Sequence, residues 1–162
     1  MPAPLALTVL MLLTIPSGHA SSHKETGHIA GWTLRVQRDD FAERVTCQLS
    51  KPKVSYSREA LVFQLSLPSD TSGAVYRIDG GSPALARDDA VELVRLGFAL
   101  HNDDLDNPSG GLVRIPARRL LDSRVVNIEI KSNHRPATFK IEGLREALAA
   151  ATKAGCAADD IR

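Results

Sequence analysis

The chain has 162 residues, a formal net charge of +1 and two cysteines. A balance so close to neutral argues against a broad electrostatic contact with nucleic acid, so we expect no nucleic-acid partner. The length has room for one hydrophobic core. The absence of a C-x-x-C motif argues against a thioredoxin-like redox enzyme.

Residues 1–20, MPAPLALTVLMLLTIPSGHA, contain no Asp, Glu, Lys or Arg. The apolar stretch before Pro16 is too short to span a bilayer as a helix. The small residues Gly18 and Ala20 then follow at the spacing of a cleavage site. We therefore predict a signal peptide over 1–20 and a periplasmic or secreted protein, with no transmembrane segment in the mature chain. A buried N-terminal helix is the alternative.

The segment after this leader is polar. Residues 21–30, SSHKETGHIA, are predicted to form a flexible tail. His23 and His28 within it are a weak candidate pair of ligands for a transition metal. Residues 31–162 are predicted to form a single β-rich domain.

Alternation of apolar and polar residues dominates this domain and is typical of half-buried strands. In WTLRVQ the apolar side chains of Trp32, Leu34 and Val36 lie on one side of the strand. We therefore interpret Trp32 as a residue of the hydrophobic core rather than as a surface on which a ligand stacks. The same alternation runs through ERVTCQLS, EALVFQLSL, AVYRIDGG, RVVNIEIK and ATFKI. The turn-like SNHRP joins the last two, which predicts an antiparallel hairpin with Glu129 facing Lys140.

Two segments depart from this alternation. DDAVELVRLGFALH begins like a helix, with Asp88 or Asp89 placed to cap it, although Gly97 keeps a strand as the alternative. The clearer helix is C-terminal, where apolar residues fall on one stripe from Leu144 to Ala151 before Gly155 ends it. The predicted fold class is mainly β (α+β): an antiparallel β-sandwich-like domain with a C-terminal helix packed on the sheet.

The two cysteines are Cys47 and Cys156. Because an exported protein folds in an oxidising compartment, we predict that they form a disulfide. This bond would join an early strand to the C-terminal helix. Two buried free thiols are the alternative.

Several segments resemble a group of small exported bacterial proteins. These segments are VYRIDGG, GGLVRIP, VNIEI and the ending PATFKIEGLREALAAATKAGC, which follow an early Trp and Cys. The group includes the invasion-associated locus B family and the VasI-like periplasmic proteins associated with type VI secretion. The resemblance implies a β-sandwich-like domain without known catalysis, and it implies no catalytic residue.

The sequence contains no G-x-S-x-G, H-E-x-x-H, P-loop or dinucleotide-binding motif. We therefore predict no catalytic residue, no cofactor and no enzymatic activity, with an unrecognised hydrolase as the weakest alternative. Arg114, Arg118, Arg119, Arg124, Lys131 and Arg135 make the C-terminal third locally basic. This run is interpreted as a solvated face, with anion binding as the alternative.

The candidate metal ligands lie in HNDDLDNPSGG, where Asp103, Asp104 and Asp106 crowd oxygen donors into one loop. Such donors suit Ca²⁺, but their spacing differs from an EF-hand and the segment also reads as an ordinary turn. No metal site is therefore assigned.

The candidate interaction residues are Tyr76, Arg77 and Asp79. In an extended strand Arg77 and Asp79 share a face, so they are expected either to form a surface ion pair or to contact a partner.

Two functions follow from these patterns. The first is a non-enzymatic accessory or interaction protein of the bacterial envelope, invasion- or secretion-associated, whose partners are envelope or secreted proteins. The alternative is a periplasmic module that binds a small ligand or a metal through residues 101–107.

Overall fold

The computed structural model describes residues 22–65, 73–98, 111–130, 135–158 and 161. The strands in these ranges are β1 (Ser22–Ile29), β2 (Trp32–Asp39), β3 (Arg44–Lys51), β4 (Val54–Ser57), β5 (Ala60–Gln64), β6 (Val75–Ile78), β7 (Ala84–Leu85), β8 (Leu112–Pro116), β9 (Val125–Glu129) and β10 (Ala137–Lys140). The helices are α1 (Ala90–Arg95) and α2 (Leu144–Lys153). None of the described helices is long and apolar enough to cross a membrane.

The strands form two antiparallel sheets, which confirms the predicted mainly β fold. Sheet A has the order β1-β2-β3-β4-β5-β8, and sheet B has the order β10-β9-β6-β7. Their inner sides share one core, where the rings of Phe63 in β5 and Phe139 in β10 lie 5.1 Å apart, centroid to centroid. Trp32 is fully buried there, as the alternation of β2 predicts.

The prediction of a flexible tail over 21–30 is wrong for Ser22–Ile29, which form β1. Ala30 and Gly31 both have positive φ, 48° and 81°. This is the geometry of a two-residue hairpin turn whose twist matches that of the flanking strands. The turn sets the register from Ile29 opposite Trp32 to Ser22 opposite Asp39, so β1 pairs with β2 along its whole length.

The C-terminal helix α2 packs on the inner side of β1, β2 and β3, as predicted. Leu144, Ala147 and Ala151 are its buried residues. Alanine at two of these positions lets the helix lie close to the sheet. Gly155 follows with φ +87°, the left-handed conformation expected after the last turn.

The predicted disulfide is present: Cys47 in β3 is bonded to Cys156, and their Cα atoms lie 6.0 Å apart. The chain then continues beside β3, where Ile161 forms a parallel bridge with Cys47. Both cysteines and Ile161 are buried. The bond therefore joins α2 and the residues that follow it to β3, the third strand of sheet A from the β1 edge.

The predicted helix is confirmed for Ala90–Arg95, which follow a 3₁₀ turn over Ala86–Asp89. Gly97 lies just beyond with φ +81°, so it ends this helix rather than interrupting it. The β9–β10 hairpin is also confirmed, but Lys140 lies opposite Val125 rather than Glu129.

Candidate functional site

The three candidate interaction residues occupy different environments. Tyr76 is 1% exposed in β6, and its hydroxyl lies inside a buried polar cluster. Arg77 is exposed and donates a hydrogen bond to the carbonyl oxygen of Gly81. Asp79 lies beyond the end of β6 with φ +48°.

The expected ion pair between Arg77 and Asp79 is not what the structure shows. Oδ1 of Asp79 instead accepts hydrogen bonds from the backbone N–H groups of Arg124 and Val125, at 3.0 and 2.8 Å. Because Asp79 has left the strand, the alternation that would place it beside Arg77 no longer applies. Its carboxylate fixes the start of β9 against the end of β6.

The cluster that we call the buried cluster consists of Tyr76 and Asp89, which are both buried, and Arg119, whose side chain is 37% exposed. Tyr76 Oη donates to Asp89 Oδ2 at 2.8 Å, and Arg119 Nη1 donates to Tyr76 Oη at 2.9 Å. Arg119 Nη2 lies 2.8 Å from Asp89 Oδ1, an ionic contact without an aligned hydrogen bond. The cluster ties sheet B to the residues preceding α1 and to the 3₁₀ turn after β8.

The electrostatics of this cluster follow from its burial. Desolvation raises the pKa of the Asp89 carboxyl, and the Tyr76 hydrogen bond and the Arg119 charge only partly oppose this. Desolvation, with the neighbouring Asp89, also raises the pKa of Tyr76 to about 12. The tyrosine is therefore a neutral hydrogen-bond donor at physiological pH.

A second ion pair extends the cluster to the surface. Both Nε and Nη2 of Arg118 donate to the carboxylate of Glu92 on α1, the latter at 2.6 Å. The Arg118 hydrogen bond is the largest cause of a lowered Glu92 pKa. Arg118 and Arg119 are thus engaged by carboxylates, so these two residues of the basic run serve the fold instead of forming an anion site.

The Asp-rich loop, with Asp103, Asp104 and Asp106, lies outside the described residues, and so does His101. Within the ranges that the structure describes, no group of three or more His, Cys, Asp or Glu side chains is placed to hold a metal ion.

The most distinctive surface lies at one edge of sheet A, which is formed by β1. Six of its eight side chains are exposed, on both faces of the strand. No backbone hydrogen bond joins it to any described element other than β2. Such an edge is a template for pairing with another chain.

The opposite edge of sheet A differs. There β8 is five residues long, ends at Pro116 and contacts both α1 and the 3₁₀ turn before it. A proline and covering elements are the usual protections of a sheet edge. Among the residues that the structure describes, sheet A therefore has one protected edge and one open edge.

The side chains of β1–β3 that point away from the core form a surface that we call the polar face. Its members are Ser22, Lys24, Thr26, His28, Thr33, Arg35, Gln37, Asp39, Arg44, Thr46, Gln48 and Ser50, assigned from strand register and burial. Eleven of them are hydroxyl, amide, imidazole or cationic groups. Asp39 is the one carboxylate among them, and it accepts hydrogen bonds from the backbone N–H groups of Phe41 and Ala42 in its own turn.

A groove of about 500 Å³ crosses the polar face. One wall is the row Lys24, Gln37 and Thr46, and the other is the row formed by Thr26, Arg35 and Gln48. Its floor is the backbone between these rows. It opens at the free edge of β1, so the edge and the polar face form one continuous surface.

A second groove, of about 470 Å³, lies between β10 and the turn that joins β3 to β4. It is lined by Lys51, Lys53, Gln64 and Lys140, among others. Lys51 is already engaged, because its Nζ donates to the Glu142 carbonyl oxygen at 2.9 Å and lies 5.2 Å from the centre of the Trp32 ring. This groove is therefore the weaker candidate for a binding surface.

The polar face was missed in the sequence because β1 has almost no apolar residues to mark it as a strand. The only local signal was the pair Ala30-Gly31 before the clear alternation of β2.

Comparison of the chain with protein-family models, with curated proteins and with solved structures returned no match.

Proposed function

We propose that this chain is an exported, non-enzymatic accessory protein of the bacterial envelope. It binds an extended segment of a partner protein along the free edge of β1. The observation that carries the proposal is the contrast between the two edges of sheet A. The edge formed by β1, a strand of eight residues, is open, whereas the opposite edge, formed by β8, is protected. Addition of a strand to such an edge is a common mode of peptide recognition.

Export is supported by the leader-like segment 1–20 and by the disulfide between Cys47 and Cys156. Disulfides persist mainly in proteins outside the cytosol. The resemblance to the locus B and VasI-like groups favours a periplasmic location and an invasion- or secretion-associated role. The alternative of ligand or metal binding through 101–107 rests on residues outside the described ranges.

Site-specific photo-crosslinking in the native host tests this proposal. A photoreactive residue in place of Thr26, on the open edge, is expected to capture an envelope or secreted protein. The same residue in place of Val91, which is 65% exposed on α1, is the control for surface accessibility. Equal capture from both positions, or none from position 26, would contradict the proposal.

The mature protein from the same cells should begin after Ala20 when its N-terminus is determined by mass spectrometry. An intact leader on protein from the cell envelope would contradict export by signal-peptide cleavage.

A further inference from the structure

The backbone of β1 alternates between groups that bind β2 and groups that face outward. A two-residue turn closes with a hydrogen-bonded pair, here Ile29 and Trp32, and antiparallel pairs then alternate along the hairpin. The N–H and C=O groups of Lys24, Thr26 and His28 therefore face the open edge. The side chains of the same three residues lie on the polar face.

A strand that pairs with β1 places the residues opposite Lys24, Thr26 and His28 on the polar face as well, because directly opposed side chains share a face. The residue opposite Lys24 meets an exposed ammonium group. The residue opposite Thr26 lies two strand spacings from Arg35, about 10 Å between backbones. A glutamate and an arginine side chain together span this distance over the small threonine.

On its other face β1 presents different chemistry. Glu25 points to that side, together with His23, Gly27 and Ile29. A carboxylate directly opposite Glu25 would be repelled. The edge therefore favours acidic side chains at alternate positions of the incoming strand, all on the polar face.

A second copy of this chain does not satisfy the pattern. Two β1 strands related by a closing two-fold axis run antiparallel, and the polar face of one copy continues into that of the other. Opposed residues then share a face, so Lys24 meets Ser22, Lys24, Thr26 or His28, but never Glu25. Self-pairing gives the lysine no directly opposed acidic residue, and Asp39 of the second copy, which lies behind Ser22, already accepts two backbone hydrogen bonds in its own turn.

From these contacts we propose that the open edge of β1 binds a different protein through an extended segment with acidic residues at every second position. The inference rests on the proposed function and adds the chemistry of the partner to it. Lys24 and Arg35 determine this preference, while the outward N–H and C=O groups of the edge supply binding independent of sequence.

The test uses two octapeptides of equal composition and charge, measured by NMR titration against the full mature protein. One alternates threonine and glutamate, so that an extended strand carries all glutamates on one face. The other repeats Thr-Thr-Glu-Glu, which places glutamates on both faces. We expect the alternating peptide to bind about tenfold more tightly, from two favourable cross-strand charge pairs and the absence of repulsion at Glu25.

One double variant tests the assignment to Lys24 and Arg35. Exchange of both cations for glutamate, Lys24→Glu with Arg35→Glu, should transfer the preference to an octapeptide of alternating threonine and lysine. Equal binding of the two glutamate peptides, or an unchanged preference in this double variant, would overturn the acidic-partner inference. Binding of neither glutamate peptide would overturn it as well.

The edge itself is tested separately. Thr26→Pro removes one outward donor and should abolish binding of both glutamate peptides, whereas Thr26→Val retains the N–H and should bind like the wild type. Loss with proline alone supports edge pairing even where the charge preference fails. Equal binding by the two variants would refute the proposed function. A dimer in sedimentation analysis that Thr26→Pro dissociates would instead make a second copy the occupant.

Discussion

Tyr76 donates a hydrogen bond to Oδ2 of Asp89 across 2.8 Å, between two side chains that are almost wholly closed to solvent. The tyrosine belongs to sheet B, and the aspartate is the last residue before α1. Asp89 occupies the position from which a helix is usually capped, yet its side chain makes no capping hydrogen bond. It turns into the core, where Arg119 supplies the compensating charge.

This relationship predicts the effect of Tyr76→Phe. The substitution keeps the aromatic ring and removes the single donor to Asp89 Oδ2, so a buried carboxylate oxygen loses its partner. We expect the free energy of unfolding to fall by about 1–3 kcal/mol in urea denaturation. A double-mutant cycle with Asp89→Asn gives the coupling, which should exceed about 0.5 kcal/mol. Additive effects would show that the two side chains do not depend on each other.

The stability of the protein should also depend on the ionisation of Asp89, because burial raises its pKa above the ordinary value of 3.8. Below 3.8 the carboxyl is neutral in both the folded and the unfolded chain. As pH rises from 3.8 toward the higher pKa of the folded chain, the Asp89 carboxyl loses its proton in the unfolded chain first, which favours unfolding. The difference in unfolding free energy between wild type and Asp89→Asn should therefore shrink from acidic to neutral pH.

Glu92, in the first turn of α1 just after Asp89, provides a control of opposite sign. Arg118 lowers its pKa below the ordinary value of 4.5, so its ionised form stabilises the folded chain. This contribution is present above 4.5 and is lost as pH falls through the folded pKa. Urea denaturation of Glu92→Gln across pH 3 to 7 should show a gap to the wild type that widens toward neutral pH. Because the two assignments predict opposite trends, parallel profiles for the two variants would contradict at least one of them.

The elements that could be predicted are those whose apolar residues repeat with a regular period. The alternation around Trp32 and Cys47 identified β2 and β3, and the stripe from Leu144 to Ala151 identified α2. The disulfide was predictable because the chain offers a single pairing of its two cysteines and carries the pattern of an exported protein.

The parts that could not be predicted depend on distant contacts. β1 lacks an apolar face, so its strand conformation comes from the register imposed by β2 and the Ala30-Gly31 turn. The buried cluster joins Tyr76 to Arg119, 43 positions along the chain. No local pattern relates two such residues. The expected ion pair between Arg77 and Asp79 does not form, because a positive φ at Asp79 ends the alternation before that residue.

The disulfide should contribute substantially to stability, because it closes a loop over a sequence separation of 109. Replacement of both cysteines by alanine is expected to lower the free energy of unfolding by about 4–5 kcal/mol in the chain-entropy model. Wild-type protein in excess reductant should match the double variant in urea denaturation. A loss below about 1 kcal/mol would show that the bond constrains the unfolded chain little.

Hydrogen exchange should locate the effect of losing the bond. The N-terminal end of α2 keeps its own anchors, since Trp32 Nε1 donates to the Glu142 carbonyl oxygen at 3.1 Å and Lys51 donates to the same oxygen. At the C-terminal end of α2, Arg38 Nη2 donates to the Ala154 carbonyl oxygen at 2.7 Å, close to the position of the disulfide. In the variant without cysteines, we therefore expect amide protection to decrease more around position 156 than near Ala147.

The approach of α2 to the β1–β2 turn gives a prediction about Gly143, the residue before the helix. Gly143 has φ +80°, and a Cβ placed there would overlap the Cβ of Ala30 and lie 2.9 Å from the Ala30 carbonyl oxygen. Gly143→Ala therefore combines backbone strain of about 1–2 kcal/mol with a steric clash. We expect a loss of at least about 2 kcal/mol in thermal or urea denaturation.

The companion substitution Ala30→Gly separates the two causes. Alone it should cost little, because Ala30 itself has φ +48° and glycine adopts this conformation without strain. Combined with Gly143→Ala, it removes the overlap between side chains but leaves both the strained φ and the close carbonyl oxygen. The double variant should thus recover part of the lost stability and not all of it. Full recovery would assign the cost to the clash between side chains alone, whereas no recovery would assign it to the strained φ and the close carbonyl oxygen.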